Sequence, residues 1–328
     1  MTSRTANGQV VILLATYDGA AFLAEQLASI AAQDHGDQGR GDQGRGDQGR
    51  GGWSLVWRDD GSTDDSVAIM QHFAAAHPAG RVTRLAAPEG HVGSAAGFLA
   101  LLRHAAPRLG PHDIVAFADQ DDVWLPAKLG RAVRALAAVP NTAAIYSARQ
   151  ILVDARLNRL AESAQLAGVP AFPASLTQNL ATGCTVALNR AAALLVANST
   201  APPGCQHDWW AYLLITAAGG RFIADDEPVV LYRQHGGNAV GAPRSFARRA
   251  LAVLRRGPGV FMGQMRENIA TLDAQRHLLT PQARHELDEI KAALGGGKLR
   301  RLRTLRLKEL RRQTWAEQML FRLWLLIG

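Results

Sequence analysis

The segment Ile114–Trp124, IVAFADQDDVW, runs from five apolar residues straight into three carboxylates and a tryptophan. The apolar part predicts a buried strand, because short apolar runs bounded by polar residues are typical of sheet interiors. Carboxylates a few ångströms apart repel each other, and burying one without a partner is costly. We therefore expect a positive group at this strand end, either a basic side chain or a metal ion.

The residues before this segment alternate between predicted strands and predicted helices. The patterns predict strands at Val10–Ala15, Trp53–Trp57 and Arg81–Ala86, and helices at Ala20–Ala32, Ser66–Ala76 and Ser94–Ala105. This alternation indicates βαβ units, and therefore an α/β fold with a mostly parallel sheet flanked by helices. In such sheets the ligand site lies at the carboxyl ends of the strands. Three polar clusters fall there: Thr16-Tyr17-Asp18, Asp59-Asp60-Gly61-Ser62 and Asp119-Gln120-Asp121-Asp122.

The second half of the chain is less regular. We expect a strand at 143–147, a strand entering a helix at 182–190, a helix at 207–220, two short strands at 221–224 and 228–232, a loop at 233–241, and helices beyond it.

Charge is distributed unevenly along the 328 residues, whose formal net charge is +8. Residues 246–328 contain 17 basic and 7 acidic side chains, whereas residues 1–245 contain 19 and 21. We therefore expect an α/β domain at 1–245 and a basic helical C-terminal region at 246–328 with an anionic partner. The nearly neutral body argues against nucleic acid as that domain's partner.

Low complexity marks residues 36–52, where the unit GDQGR occurs three times. With no apolar side chain in the repeats, we expect a flexible surface insertion. No leader peptide is recognisable, and the two cysteines, Cys184 and Cys205, suit buried thiols rather than a disulfide framework. These features favour a cytoplasmic protein.

The acidic clusters suggest two kinds of chemistry. Asp119 and Asp121 stand two residues apart, so that both side chains share one face of extended backbone and suit a divalent cation such as Mg or Mn. An acidic turn that caps a helix beginning near Pro126 is the alternative. Asp59 or Asp60 can accept the imide N–H of a pyrimidine base, while Ser62 or Thr63 can cap a helix beginning near Asp65.

Two later residues are candidates for catalysis and binding. Asp208, in HDWW at a predicted helix start, is kept ionised by the helix dipole and shielded by indoles, as a general base requires. A plain helix N-terminal aspartate is the alternative. His235 lies in the glycine-rich loop, where it can reach a metal or a phosphate or simply be a surface histidine.

The order of these motifs is more specific than any one of them. ATYDG, RDDGSTD, FADQDDVWLPAKL, TGCT, HDWW and YRQHGGN occur in succession over residues 9–241. Together they resemble the inverting glycosyltransferases of family 2, which have the Rossmann-like GT-A fold. This version is most similar to bacterial rhamnosyltransferases that build surface polysaccharides.

The resemblance implies a role for each matching position. Thr16 and Tyr17 fall where the family binds the nucleoside, and Asp59 and Asp60 fall where it contacts the base. Asp119 and Asp121 match its DxD motif, with Asp121 the more direct Mg or Mn ligand.

Further along the chain, His235 falls in the loop that closes over the diphosphate and contacts the metal. Asp208 matches the base that deprotonates the acceptor hydroxyl. The implied reaction moves a deoxyhexose, such as rhamnose from dTDP-rhamnose, to a glycan or lipid-linked acceptor with inversion.

Two other functions remain open on the same fold. One is a non-catalytic nucleotide-binding or membrane-docking protein. Such a protein would be a degenerate copy of the enzyme and should have lost at least one of Asp119, Asp121 and Asp208. The other is a nucleotide-sugar hydrolase, which would form product without an acceptor. The chain also departs from the family at His91-Val-Gly93, so we do not assign the family's donor-binding roles to residues of that loop.

The C-terminal region predicts a surface-bound helix. Residues 298–312, KLRRLRTLRLKELRR, place leucines among eight basic residues, and MLFRLWLLIG follows at 319–328. This composition suits an anionic membrane surface, with the protein peripheral on the inner face of the cell membrane. The alternatives are a solvated helix that packs on the body and a segment that binds RNA.

Overall fold

A computed structural model describes residues 8–33, 52–86, 91–166, 168, 171–236, 246–296, 307 and 309–327, and for 246–257 it describes the helix alone. The predicted insertion and most of the basic stretch at 298–312 lie outside these residues. Within the described part, no helix combines the length and apolar character that crossing a membrane requires.

The first half of the chain forms the predicted parallel sheet. Its strands are β1 (Val10–Thr16), β2 (Trp53–Asp59), β3 (Val82–Arg84) and β4 (Ile114–Ala118), in the order β3-β2-β1-β4. Helices α1 (Ala20–Ala31), α2 (Ser66–Ala75) and α3 (Ser94–Ala105) connect them. Thr16 pairs with Asp59, and Leu14 with Ala118, so the three polar clusters meet at one edge.

The second half extends this sheet to nine strands. It contributes β5 (Val123–Trp124), α4 (Lys128–Ala137), β6 (Ala144–Val153), β7 (Arg159–Glu162), β8 (Ala187–Asn189), α5 (Arg190–Ala197), α6 (His207–Ala217) and β9 (Arg221–Arg233). Strand β8 runs antiparallel to both β4 and β6, whereas β6 and β9 are parallel. The sheet is therefore mixed on this side.

Several predicted boundaries are wrong, and the strand expected at 143–147 continues to Val153. The segment 221–233 is one strand rather than two, because a register shift opposite Asp226 and Glu227 lets the chain stay extended through Pro228. Helix α6 ends at Ala217 rather than 220, since Gly219 takes φ 80° and Gly220 turns the chain into β9.

The side chains of the sheet alternate between two apolar cores. Ile12 and Leu14 of β1 point into one core with Leu27 of α1. Leu13 points into the other core, which α3, α5 and α6 cover. Cys184 and Cys205 are buried free thiols, as predicted.

The C-terminal helices share the second core with the body. They are α7 (Phe246–Ala274), α8 (Pro281–Leu294) and α9 (Trp315–Ile327). Met262, Leu287 and Phe321 are fully buried in the core that also contains Trp210 of α6. One face of α9 therefore packs on the body, as the alternative to a surface-bound helix predicted.

Candidate active site

The side chain of Gln120 connects the end of β1 to the acidic loop after β4. Its Oε1 accepts hydrogen bonds from the Thr16 hydroxyl and the Tyr17 N–H, both at 2.8 Å. Its Nε2 donates to the Tyr17 carbonyl at 2.9 Å. Gln120 was not singled out in the sequence, although it lies inside a quoted motif. It fixes Thr16 and Tyr17 relative to the carboxylates on either side of it.

Ser62 and Thr63 tie two loops together and do not cap a helix, so that prediction is wrong. Thr63 donates its N–H to the Asp18 carboxylate at 2.7 Å, and the Ser62 hydroxyl accepts from the Asp18 N–H at 3.0 Å. Asp59 accepts from the Ser62 hydroxyl at 2.6 Å. The Ser66 N–H at the start of α2 is satisfied instead by Asp64, at 2.9 Å. Asp59 thus shapes the loop.

Asp60 is buried and surrounded by donors. It accepts from the N–H groups of Val92 and Gly93 at 2.9 and 2.8 Å, and it pairs with Arg58 and with His91 Nδ1. Burial acts to raise the pKa of Asp60, but the hydrogen bonds outweigh burial and hold the pKa below its ordinary value. His91 is the exposed member of this set, and its ring lies 4.5 Å from that of Tyr17.

The acidic loop after β4 holds two of its three carboxylates close to a thiol. Ligand atoms of Asp119, Asp122 and Cys184 lie within 4.8 Å of one another. Burial and the charge of Asp121 raise the pKa of Asp122 to about 7, and burial with both neighbouring carboxylates raises that of Asp119. Asp122 Oδ1 accepts the Arg233 N–H at 3.1 Å, whereas its buried Oδ2 has no hydrogen-bond partner.

Lys128 is the positive group expected beside these acids. Its side chain is buried, its Nζ donates to the Cys184 carbonyl, and the ammonium lies 3.9 Å from the centre of the Trp124 ring. Burial lowers the pKa of Lys128 to about 8, while Asp122 and Asp119 oppose the shift. A basic side chain, one of the two expected alternatives, is thus present beside the acids on the first turn of α4, and the metal ion remains a proposal.

Asp121, whose charge acts on both Asp119 and Asp122, contacts His235. Its Oδ2 lies 2.7 Å from His235 Nε2, and both side chains are partly exposed. The two atoms are at hydrogen-bond distance, and neighbouring ligands of one Mg²⁺ ion lie about 3 Å apart, so a cation bound by both would replace this hydrogen bond. The neighbouring Asp122, which interacts electrostatically with Asp121, adds further negative charge when it is ionised. Burial raises the pKa of the Cys184 thiol, and Mg²⁺ or Mn²⁺ prefers oxygen, so the donor set fits without Cys184 as a ligand.

Arg233, at the end of β9, holds the acidic loop in place. Its guanidinium donates to the Asp121 carbonyl at 2.8 Å and to the Ala155 carbonyl at 2.6 Å, and it pairs with Glu25 of α1. The side chain is fully buried. Sequence reasoning missed it, although an arginine inside the YRQHGGN motif was a usable signal.

Asp208 lies at the start of α6 with both oxygens oriented. Oδ2 accepts the Gly183 N–H at 2.8 Å, and Oδ1 accepts from Asn179 Nδ2 at 3.1 Å and from the Trp209 N–H at 2.6 Å. Burial raises the pKa of Asp208 to about 6, against these hydrogen bonds. The hydrogen bond from the Gly183 N–H explains why the TGCT motif accompanies HDWW. Asn179 was not predicted from the sequence.

The neighbouring His207 is structural and neutral. Its ring stacks on Phe98 at 4.1 Å and meets the edge of Phe117 at 4.8 Å. Burial lowers the pKa of His207 to about 3. It therefore contributes no charge beside Asp208.

The structure brings the predicted residues to one end of the sheet. The charge of Asp208 contributes to the raised pKa of Asp119, so the two carboxylates share one electrostatic site. Gln120 connects this site to Thr16 and Tyr17, and the Tyr17–His91 ring contact connects it to Asp60. His235 reaches it through Asp121.

Known proteins share both the sequence pattern and the architecture. The family model for glycosyl transferase family 2 matches residues 11–193, which is more than half of the chain. The dTDP-rhamnosyl transferase RfbG from Shigella flexneri is 28% identical over 241 residues, covering 71% of this chain and 75% of that protein.

Solved structures of TarS from S. aureus, residues 1–349, share the fold. The complex with UDP-GlcNAc has a TM-score of 0.57 at 15% identity and covers 87% of this chain and 70% of that one. A second TarS structure has a TM-score of 0.51 at 15% identity, covering 92% and 88%. The curled, mostly parallel sheet flanked by helices is therefore a GT-A fold, and this chain, a glycosyltransferase, belongs to glycosyltransferase family 2.

Proposed function

We propose that the protein transfers a deoxyhexose, rhamnose in the first instance, from a nucleoside diphosphate donor to a hydroxyl of a polysaccharide or lipid-linked glycan. The transfer is a single displacement with inversion at the anomeric carbon. The relative from Shigella flexneri, named a dTDP-rhamnosyl transferase, supports dTDP-rhamnose as the donor. The observation that carries the proposal is the oriented Asp208 carboxylate, whose pKa of about 6 suits a general base near neutral pH.

Asp208 has the geometry that proton abstraction requires. The N–H groups of Gly183 and Trp209 and the Asn179 amide fix its oxygens without neutralising them. In the proposed step, Asp208 takes the proton of the acceptor hydroxyl as the oxygen attacks the anomeric carbon. The bond to the diphosphate breaks on the opposite face, so inversion follows from one displacement.

Asp121 and His235 would hold a Mg or Mn ion against the diphosphate, whereas Asp119, the other ligand expected from the sequence, lies with Asp122 and Cys184. A cation bound there supplies positive charge that stabilises the leaving group. The support is the contact between the Asp121 carboxylate and His235 Nε2 at 2.7 Å, which brings two possible ligands together beside the other acids of the loop. Arg233 contributes by fixing the Asp121 backbone.

Thr16, Tyr17, Asp59 and Asp60 would form the nucleoside site. The four donors around Asp60 leave no spare acceptor position, so a base imide N–H would replace His91, the exposed partner, on Asp60 Oδ2. Asp59 acts through the loop that it shapes. An inner-membrane location fits a lipid-linked acceptor and the basic C-terminal region.

Donor binding tests this function. Thermal unfolding is followed with a panel of nucleotide sugars, with and without Mn²⁺, for the wild type, Asp121→Ala and the exposed control Asp226→Ala. We expect stabilisation of about 2.7 kcal/mol at about a hundredfold excess of donor over Kd. The stabilisation should require metal and disappear only in Asp121→Ala. A panel without any stabilising donor contradicts the proposal, and so does equal stabilisation of both variants.

A further inference from the structure

The last helix, α9, is apolar on two opposite faces. On one face Phe321, Trp324 and Leu325 are buried in the shared core, where Phe321 and Trp324 contact the ring of Phe261 on α7. These contacts fix how the helix is rotated. The orientation of its opposite face follows from them.

That opposite face carries an apolar stripe. Trp315, Met319, Leu323 and Ile327 recur at every fourth residue, which aligns them along one side of a helix. At 100° per residue, the centre of this α9 stripe lies about 170° from the centre of the buried trio. Trp315 is 78% exposed, Leu323 49% and Ile327 61%. A helix with one buried face has no folding reason to be apolar on the other.

Exposed apolar side chains concentrate around this helix. Seven large apolar residues are exposed among those that the structure describes. Three lie on the α9 stripe, and Val260 adjoins Phe261, which packs against α9. Tyr17 and Val92 belong to the candidate active site, so Leu160 alone lies elsewhere. Such a concentration marks an interaction surface.

Charge identifies the partner. Residues 298–312, which lead to α9, carry eight basic side chains and one acidic one, and Arg322 lies within the helix. An apolar stripe with a tryptophan beside a strongly basic segment suits the interface of an anionic bilayer. The 13-residue helix is about 20 Å long, so it cannot cross a hydrocarbon core of about 30 Å.

We propose that the α9 stripe lies in the plane of an anionic membrane, with its side chains among the acyl chains. The inner face of α9 stays packed on the enzyme, so the catalytic body is held directly at the lipid surface. This assignment rests on the proposed function, which places the acceptor at a membrane, and it names the surface that docks there.

The test is flotation of the full-length protein with vesicles of phosphatidylcholine, alone or mixed with phosphatidylserine. The triple variant Trp315→Gln, Leu323→Gln and Ile327→Gln removes the exposed part of the stripe. Leu323→Gln alone is matched by Leu160→Gln, which changes a leucine of similar exposure, 42% against 49%, on β7. We expect the wild type to float with the anionic vesicles. Binding should fall at least about tenfold in the triple variant, less in Leu323→Gln and not in Leu160→Gln.

Several outcomes would overturn the proposal. Equal flotation of the triple variant and the wild type would do so, as would equal losses in Leu323→Gln and Leu160→Gln. The stripe would instead mediate contacts between copies of the chain if the wild type does not float and forms an oligomer, while the triple variant is a monomer. If the triple variant does not fold, the two single leucine variants decide.

Donor-induced stabilisation, measured on the same samples, separates this inference from the proposed function. Flotation without a donor effect refutes the function and leaves the membrane surface in place. A donor effect without flotation refutes the membrane surface alone.

Discussion

Replacing Asp208 by asparagine is the sharpest test of the proposed chemistry. The substitution preserves the shape of the side chain and an oxygen that can accept from Gly183, but it removes the basic site. A positioned general base contributes about 10²- to 10⁴-fold, which corresponds to about 3 to 5 kcal/mol of the barrier. We expect kcat to fall by that factor while donor binding is unchanged.

The pH dependence supplies a second measure of the same residue. With a pKa of about 6, Asp208 is about one-tenth ionised at pH 5 and about nine-tenths ionised at pH 7. The wild-type kcat/KM should therefore rise about tenfold over this range, and the residual activity of Asp208→Asn should lack that rise. In Asn179→Ala, which removes a hydrogen bond to the ionised form, the rise should move to higher pH.

The assay is release of nucleoside diphosphate from the donor in the presence of acceptor, with thermal unfolding as the folding control. The folded pKa of Asp208 lies above its ordinary 3.8, so ionising this group lowers stability as the pH rises between those two values. The asparagine variant escapes this cost, but its NH2 group faces the Trp209 N–H and the Asn179 amide, so thermal unfolding must show that the variant is folded at the assay temperature. A folded Asp208→Asn enzyme that retains more than about a tenth of the turnover would refute the assignment.

Three further changes test the architecture. Lys128→Met leaves the buried acids without their cation. We expect a loss of about 3 to 5 kcal/mol in urea unfolding at pH 7, where Lys128 is still mostly protonated, and a smaller loss at pH 5.5, where Asp122 binds a proton; a pH-independent change contradicts this. Gln120→Leu removes three hydrogen bonds at the end of β1, so the donor Kd measured by titration should rise about tenfold with kcat little changed. An unchanged Kd would show that the connection between β1 and the acidic loop does not affect donor binding. Truncation to residues 1–245 removes Met262 and its neighbours from the shared core, so the fragment should show no cooperative thermal transition. A stable fragment would contradict the presence of one continuous core.

The parallel half of the sheet and its polar edge were predictable from the sequence. A continuous apolar run such as Val10–Ala15 is typical of a strand that is buried on both faces. Such strands occur where helices cover both sides of the sheet. The carboxyl ends of parallel strands then had to meet, which placed the three acidic clusters together. Lys128 was foreseen only as a need for positive charge, because a lysine in a helix does not reveal its burial.

The details of the site depended on contacts between distant residues. Extended geometry predicted Asp119 and Asp121 on one face, but the loop after Ala118 turns Asp121 toward His235 and Asp119 toward Asp122 and Cys184. Ser62 and Thr63 look like helix caps in isolation, yet they bond to Asp18, which lies 44 residues or more away. Local preference lost to tertiary hydrogen bonding in both cases.

Arg233 limits how freely the catalytic end of this enzyme can diversify. One planar group bridges a helix side chain at Glu25, the backbone at Asp121 and the backbone at Ala155, so that three segments far apart in the chain share one anchor. Lysine, with its single ammonium, cannot reproduce that fork. An insertion or deletion in any of these segments would be transmitted to the other two. Variation in acceptor preference among relatives that keep this arginine should therefore accumulate in loops that it does not touch.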